Sequence, residues 1–472
     1  MRNTIWFFWL ILGLLVPGGL KAMISVPALF ADGMVLQQKH AVAIWGWGKP
    51  QEEIVISVGW NNRKVKTKTD NKGNWLTHIK TPQAGGPYSI QLVGSNTIEI
   101  HQVLIGEVWI CSGQSNMEFP LGNEGKWKTG VIDYENEMAA ANYPNIRLFQ
   151  VKHTVAQEPQ LRIAGKWEAC SPETAGTFSA VAYYFARKLI EATGYPIGII
   201  HASWGGTPAE SWVKKEVLSE STDLKHLLNR QQAVQSRSPN TLYNGMIAPL
   251  VPFTIKGFIW YQGESNSDRA EEYKKLFPAL IASWRADWQQ DLPFYFVQIA
   301  PHYQKNPLIR EAQLMTFQQV RNTGMVVVTD AADSLDIHPR NKQIPGERLA
   351  RWALAKTYKQ KLICSGPIYR GMKIEGNKIR LFFDDAEGLN ARDGSLREFV
   401  ICGGDSVFVS ATAKIENNTI LVSSQMVNKP IAVRFAWKNF PRSNLYNQVG
   451  LPASPFRTDV WVKGIDRDKK ES

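Results

Sequence analysis

With 472 residues, 44% of them hydrophobic and 20% charged, the chain is too long for a single core and too apolar to stay disordered, so two or three domains are expected. Its formal net charge of +12 is not gathered into a dense Lys/Arg block interleaved with aromatics, which argues against a nucleic acid partner. Four widely spread cysteines, Cys111, Cys170, Cys364 and Cys402, lack the close spacing of a zinc site or a disulfide scaffold.

Residues 1–22 read as a secretory signal: Arg2 in a short basic start, an apolar stretch from Ile5 to Val16, helix-breaking Pro17-Gly18-Gly19, and a cleavage point after Ala22. Nothing later approaches the roughly 20 apolar residues of a membrane span. The expectation is an exported protein, periplasmic or extracellular, with an uncleaved N-terminal anchor as the alternative. Cleavage takes Arg2 and Lys21 from the 54 basic residues, leaving 52 against 42 acidic ones, a formal +10 that weakly favours an anionic substrate or surface. An oxidising compartment would permit one or two disulfides. Cys111, inside an apolar run, reads as a small core residue, and the Lys469-Lys470 end reads as solvated tail.

From residue 23 to 102 short β runs such as 41–47, 53–58 and 88–93 are broken by Gly, Asn and Pro, with turns at Trp60-Asn61-Asn62 and Asp70-Asn71-Lys72-Gly73, which predicts a small all-β domain. From 103 to 360 the rhythm changes to strand, loop, helix. Strands are predicted at 105–111, 146–150, 197–202, 255–261, 294–299 and 325–329, and helices at 179–192, 268–288 and 308–321. That alternation predicts an α/β domain with a doubly wound, mostly parallel sheet. Over 361–472 β patterning returns, with hairpins about Gly376-Asn377 and Asn417-Asn418, so β-rich, sandwich-like regions flank the middle domain.

Ligands of open α/β sheets collect at the carboxyl ends of strands. The loops expected there are unusually polar or glycine-rich. The first, after strand 105–111, carries Ser112-Gly113-Gln114-Ser115. The next is Ser203-Trp204-Gly205-Gly206, the third Gln262-Gly263-Glu264-Ser265-Asn266, and the last Asp333-Ser334-Leu335-Asp336-Ile337-His338, before a helix that Pro345 could open. Each has a plain structural explanation alone: Ser115 a helix cap, Gly205-Gly206 a turn, Gln262 a satisfied amide, Asp336 a cap. Together they supply serine esterase chemistry. Ser115 is the nucleophile and His338 the general base, with Asp336, or else Asp333, orienting the imidazole. The N–H groups of Ser115 and Gly206, with the amide of Gln262 or Asn266, are the expected oxyanion donors. Gln114, Glu264 and Trp204 are placed against the substrate, and Trp212 and Trp260 are further candidates for stacking on a sugar. The reading needs no metal and no cofactor. A glycosidase would need two opposed carboxylates, and Glu264 and Asp268 are not obviously paired.

Glu107-Val-Trp-Ile-Cys-Ser-Gly-Gln-Ser-Asn-Met, Leu242-Tyr-Asn-Gly-Met-Ile-Ala-Pro-Leu, Trp260-Tyr-Gln-Gly-Glu-Ser-Asn, Asp336-Ile-His-Pro and the closing Leu451-Pro-Ala-Ser-Pro-Phe-Arg-Thr-Asp resemble the sialate O-acetylesterase family. The resemblance implies an SGNH-hydrolase-like fold and a serine esterase that removes acetyl groups from sialic acid hydroxyls, with Ser115 and His338 at the catalytic positions. Many SGNH enzymes carry their acid three residues before the histidine, where this chain has Leu335. The third member is therefore Asp336, Asp333, or a backbone carbonyl in its place. Alternatives are an esterase for acetylxylan or another glycan, and, from a different class, a glycan-binding protein without catalysis.

Overall fold

The strand Thr97–Gly113 belongs to two sheets at once. Its first residues alternate between exposed and buried, while from Val103 onward every residue is buried. Sequence explains the change: Thr-Ile-Glu-Ile-His suits a sheet wet on one face, whereas Val-Leu-Ile-Gly-Glu-Val-Trp-Ile-Cys suits one covered on both. The boundary expected at 102/103 thus falls inside a continuous strand, eight residues before the start of the expected 105–111 strand to two residues beyond its end.

The structure is a computed structural model that describes residues 23–461 except Asn62 and Gln231. The expected leader over 1–22, the Lys469-Lys470 end and Asn62 of the expected turn lie outside the described residues.

In the N-terminal module Gly85–Val93 pairs antiparallel with Thr97–Gly113 and with Glu53–Val58, which in turn pairs with Lys64–Lys68. Ala41–Trp47 and Asn74–Lys80 form a separate two-stranded layer. Ile44 and Ile79 of that layer join Ile54, Ile56, Ile90 and Ile100 in one core.

The central sheet runs in the order Trp167–Cys170, Tyr143–Gln150, Ile197–Ser203, Thr97–Gly113, Gly257–Tyr261, Phe294–Val297, Thr323–Val326. All its neighbours are parallel except the antiparallel Trp167–Cys170 edge. Successive side chains on these strands serve opposite faces. Trp109, Cys111, Ile259 and Tyr295 pack with Ala180–Thr193 and Gln343–Trp352, while Ile110, Phe258, Trp260 and Phe296 pack with Ala270–Trp288 and Pro307–Gln319. The first strand of the unit stands at the centre, and the chain builds outward on both sides of it. Loops at the carboxyl ends of Thr97–Gly113, Ile197–Ser203 and Gly257–Tyr261 are therefore neighbours at the topological switch.

Helix ends follow local chemistry. Ser179 Oγ accepts the Ala182 N–H at 3.2 Å and Gly194 closes that helix at φ +69°. Asn306 caps Pro307–Gln319 by accepting the Leu308 N–H at 3.0 Å. The last helix opens at Gln343 rather than at Pro345; the proline sits within its first turn, where no intrahelical donor is lost.

Beyond the central unit, Ile368–Glu375, Lys378–Asp384, Thr419–Ser423 and Thr412–Glu416 form one antiparallel sheet, and Val409–Ser410, Phe399–Cys402, Ala432–Phe435 and Phe456–Arg457 another. Among the described residues no strand of this region pairs with one of the N-terminal module. All four cysteines are buried free thiols, and burial alone raises the Cys111 thiol well above its usual range. No helix of the described residues is long and apolar enough to cross a membrane.

Candidate active site

At the end of the central strand, Gly113 has φ +140°, and a Cβ there would lie 2.1 Å from the Tyr261 carbonyl oxygen, so only glycine fits. The chain then turns sharply into a single helical turn, Ser115–Glu118, with the Gln114 N–H bonded to the Tyr261 carbonyl at 3.0 Å. Ser115 is consequently held at the sheet rim. It is only 8% exposed, yet it lines a cleft of about 670 Å³ that also takes in His338, Trp204, Gly206, Glu264 and Lys305.

His338 arrives from the opposite loop. Its Nε2 lies 2.9 Å from Ser115 Oγ, hydrogen-bond distance between a hydroxyl and a base 223 residues away in sequence. Asp336 Oδ1 accepts the His338 backbone N–H at 2.8 Å and stands 3.7 Å from His338 Nδ1, close enough to act by charge but beyond a hydrogen bond. Asp333 serves the loop instead: its Oδ1 accepts the N–H groups of Leu335 at 2.8 Å and Asp336 at 3.3 Å. Burial, then the charge of Lys342, lowers the His338 pKa to about 4, against a smaller opposing pull from Asp336, so the imidazole rests neutral at ordinary pH.

The turn at Gly205-Gly206 faces the nucleophile. Gly206 adopts φ +73°, and Gly205 donates its N–H to Glu118 Oε2. Glu118 is held in turn by Lys128 at 3.1 Å. That leaves the N–H groups of Gly206 and Ser115 as the backbone donors suited to an oxyanion. The expected side-chain donors are differently employed. Gln262 and Asn266 are fully buried; Gln262 Nε2 donates to Asn266 Oδ1 at 2.7 Å, and Asn266 Nδ2 donates to Glu210 Oε2 at 2.9 Å. Asn266 Oδ1 also accepts the Ala209 N–H at 2.9 Å, and Gln262 Oε1 accepts from Tyr273 at 3.0 Å. Both amides brace the scaffold, which corrects their assignment to the oxyanion hole.

Of the residues expected against substrate, Gln114, Glu264 and Trp204 all line the cleft. Gln114 Oε1 accepts the N–H groups of Gly263 at 3.3 Å and Ser265 at 3.2 Å, fastening the first loop to the third. Trp204 stacks flat on His153, with centroids 4.0 Å apart. Trp212 and Trp260 are wholly buried and cannot meet a sugar. Asp268 is exposed beside Arg269, while Glu264 is buried, so the two form no opposed carboxylate pair.

Several site residues were not foreseen. Trp127, on a hairpin of Asn123–Gly125 and Lys128–Thr129, lies over the His338 ring at 4.8 Å. Asn116 Nδ2 donates to Glu264 Oε1 at 2.6 Å and to the Ile337 carbonyl at 3.0 Å, while the buried Lys342 ammonium donates to Asn116 Oδ1 and sits 4.7 Å from the Phe119 ring. Burial lowers Lys342 to about 7 and raises Glu264, whose Oε2 has no partner. Asn116 and Glu118 lie within the motif around Ser115 and were legible from it; Trp127 and Lys342 had no local signal. Among the described residues no three His, Cys, Asp or Glu side chains gather as a metal site would require.

Comparison with known proteins agrees with this geometry. Residues 105–355 match the family described as carbohydrate esterase, sialic acid-specific acetylesterase. The chain is 30% identical to the human sialate O-acetylesterase, covering 96% of this chain and 97% of that protein, and 29% identical to the rat one, covering 92% and 94%. Among solved structures it is similar to a carbohydrate acetylesterase from Xanthomonas citri, with a TM-score of 0.86 and 37% identity over 93% of this chain and 100% of that one.

Proposed function

The chain belongs to the sialic acid-specific acetylesterase family of carbohydrate esterases, and from that membership we propose that it hydrolyses O-acetyl esters of sialic acids through an acetyl-serine intermediate. It is an esterase of acetylated sugars with an α/β catalytic fold. The observation that carries the serine mechanism is the 2.9 Å contact between Ser115 Oγ and His338 Nε2 inside the cleft.

In the proposed reaction Ser115 Oγ attacks the acetyl carbonyl as His338 Nε2 takes its proton. The tetrahedral oxyanion forms against the N–H groups of Ser115 and Gly206, each worth about 3–4 kcal/mol when well placed. Collapse breaks the bond to the sugar oxygen, and His338 returns the proton to that oxygen, releasing the hydroxyl. Water, deprotonated by His338, then attacks the acetyl-serine, acetate leaves, and the proton goes back to Ser115. Asp336 favours the imidazolium formed on the way, acting through charge at 3.7 Å. Trp127 and Trp204 wall the cleft and offer apolar faces to the sugar. The basic, apolar start at 1–22 supports placing the mature protein outside the cytoplasm, in the periplasm or medium.

The test is acetate release from O-acetylated sialic acid and from acetylxylan by the wild type and by Ser115→Ala, with circular dichroism confirming the fold. Loss of several orders of magnitude in the variant is expected. Equal rates would remove Ser115 from the chemistry, and preference for acetylxylan would replace sialate as the substrate.

A further inference from the structure

Among the described residues most charges around the cleft are engaged by a partner or enclosed, while Lys305, and Arg237 against Gly206, face no carboxylate at ion-pair distance. Glu118 is matched by Lys128 at 3.1 Å, and Lys128 also reaches Glu124 at 3.2 Å. Glu264 is buried, with Oε1 bonded to Asn116, and burial holds its carboxyl above the usual range. Lys342 is wholly enclosed. Asp333 and Asp336 accept N–H groups of their own loop.

Of these two cations, Lys305 is the one whose head group is anchored. It lines the cleft, and its Nζ donates to the backbone carbonyl of Glu264 at 3.0 Å, an uncharged acceptor. Among the described residues no carboxylate oxygen lies within 4.0 Å of that ammonium, although it feels the Glu264 carboxyl at longer range. The carbonyl anchor fixes where the charge sits without neutralising it. Its backbone is also fixed, since the Lys305 N–H bonds the His302 carbonyl at 2.9 Å. Two of the three donors of an ammonium remain for other acceptors.

We propose that Lys305 binds the carboxylate of an acidic acetylated sugar and so determines specificity for sialates over neutral glycan esters. The inference rests on the sialate reading given above. In a sialic acid the carboxylate and the acetyl ester belong to one residue, and one cleft lined by both Ser115 and Lys305 can engage both groups at once. The ammonium is a point charge and makes no demand for bidentate geometry, which suits a ring that must place its ester at Ser115 first. A partly desolvated ion pair of this kind acts on substrate binding equally in the ground and transition states, so it belongs in KM rather than kcat.

The experiment compares three acetyl esters: O-acetylated sialic acid, the same compound with its carboxylate masked as a methyl ester, and 4-nitrophenyl acetate. Lys305→Gln keeps a donor for the Glu264 carbonyl, and Lys305→Arg restores the charge. For Lys305→Gln the expected result is a KM for the free acid raised at least about tenfold with kcat within about threefold, little change for the methyl ester or 4-nitrophenyl acetate, and recovery in Lys305→Arg. Wild-type KM for the free acid should also rise with salt, while that for the methyl ester should not. Equal effects of Lys305→Gln on acid and methyl ester would overturn the assignment. Turnover of 4-nitrophenyl acetate by the wild type without acetate release from either sialate ester is a different pattern, and it would overturn the substrate reading itself.

Discussion

Replacing Asp336 by Asn tests how the imidazole is assisted. The amide oxygen can still accept the His338 N–H that Asp336 Oδ1 accepts at 2.8 Å, so the loop should keep its shape while the charge disappears. At about 4 Å and an effective dielectric of about 20, a carboxylate and an imidazolium attract by about 4 kcal/mol. Asp336 is 44% exposed, and solvent screening reduces such a pair to about 1–2 kcal/mol. The expected cost is therefore roughly 5- to 30-fold in kcat/KM, far below the roughly 10⁴-fold loss from a buried, hydrogen-bonded triad acid. Asp333→Asn, at a carboxylate that holds only loop N–H groups, should change kcat/KM by less than about threefold. A pH profile adds a sign. The base must be neutral, so kcat/KM should be present above the His338 pKa of about 4 and lost as pH falls through it. Asp336 raises that pKa, so Asp336→Asn should move the acid limb to lower pH. Measured with O-acetylsialic acid and 4-nitrophenyl acetate, a loss near 10⁴-fold would refute the reasoning, as would a larger fall in Asp333→Asn than in Asp336→Asn.

Glu118→Ala removes the carboxylate that accepts the Gly205 N–H and so frees the turn bearing Gly206; a charge-assisted hydrogen bond of about 1.5–3 kcal/mol predicts roughly a 10- to 100-fold fall in kcat with little change in melting temperature, and unaltered kcat would discount that turn as an oxyanion donor. Asn266→Ala strips partners from Glu210, Ala209 and Gln262, so it should lose about 2–4 kcal/mol of stability in urea unfolding while the folded fraction keeps kcat within a few-fold. Collapse of kcat at unchanged stability would return Asn266 to the oxyanion hole.

The layered sheet was legible because its strands announce themselves twice, by apolar β-branched runs and by the polar or glycine-rich loops that end them. Gly113 and Ser115 could be placed at a strand end from Ile-Cys-Ser-Gly-Gln-Ser alone, and Ser115 proved to sit beside His338. The sharing of Thr97–Gly113 by two sheets was hidden, since a strand gives no local sign of which neighbours it takes at each end. Gln262 and Asn266 misled because loop amides at a strand end look alike whether they face a ligand or brace the loop. Only the partners decide, and those partners, Glu210, Ala209 and Tyr273, come from other segments. Trp127 escaped for a related reason: an exposed tryptophan on a short hairpin has no pattern that ties it to a histidine more than two hundred residues later.

Polar bonds, more than apolar packing, hold the catalytic loops in register. Gln114 ties the serine turn to Gly263 and Ser265, Glu118 ties it to Gly205, and Asn116 ties it to both Glu264 and the Ile337 carbonyl next to the histidine. Lys342 then fixes Asn116 from below. This arrangement is costly: an ammonium is wholly enclosed and Glu264 Oε2 has no partner. Apolar residues of similar volume would give a more stable floor, but they would let the loops slide by the fraction of an ångström that hydrogen-bond geometry forbids. The 2.9 Å contact between Ser115 and His338 joins loops that follow strands not adjacent in the sheet, so the register those polar bonds enforce is the condition for chemistry. Burial first, and then the charge of the same Lys342, lowers the histidine pKa and keeps the base unprotonated, so Lys342 contributes to both position and charge state.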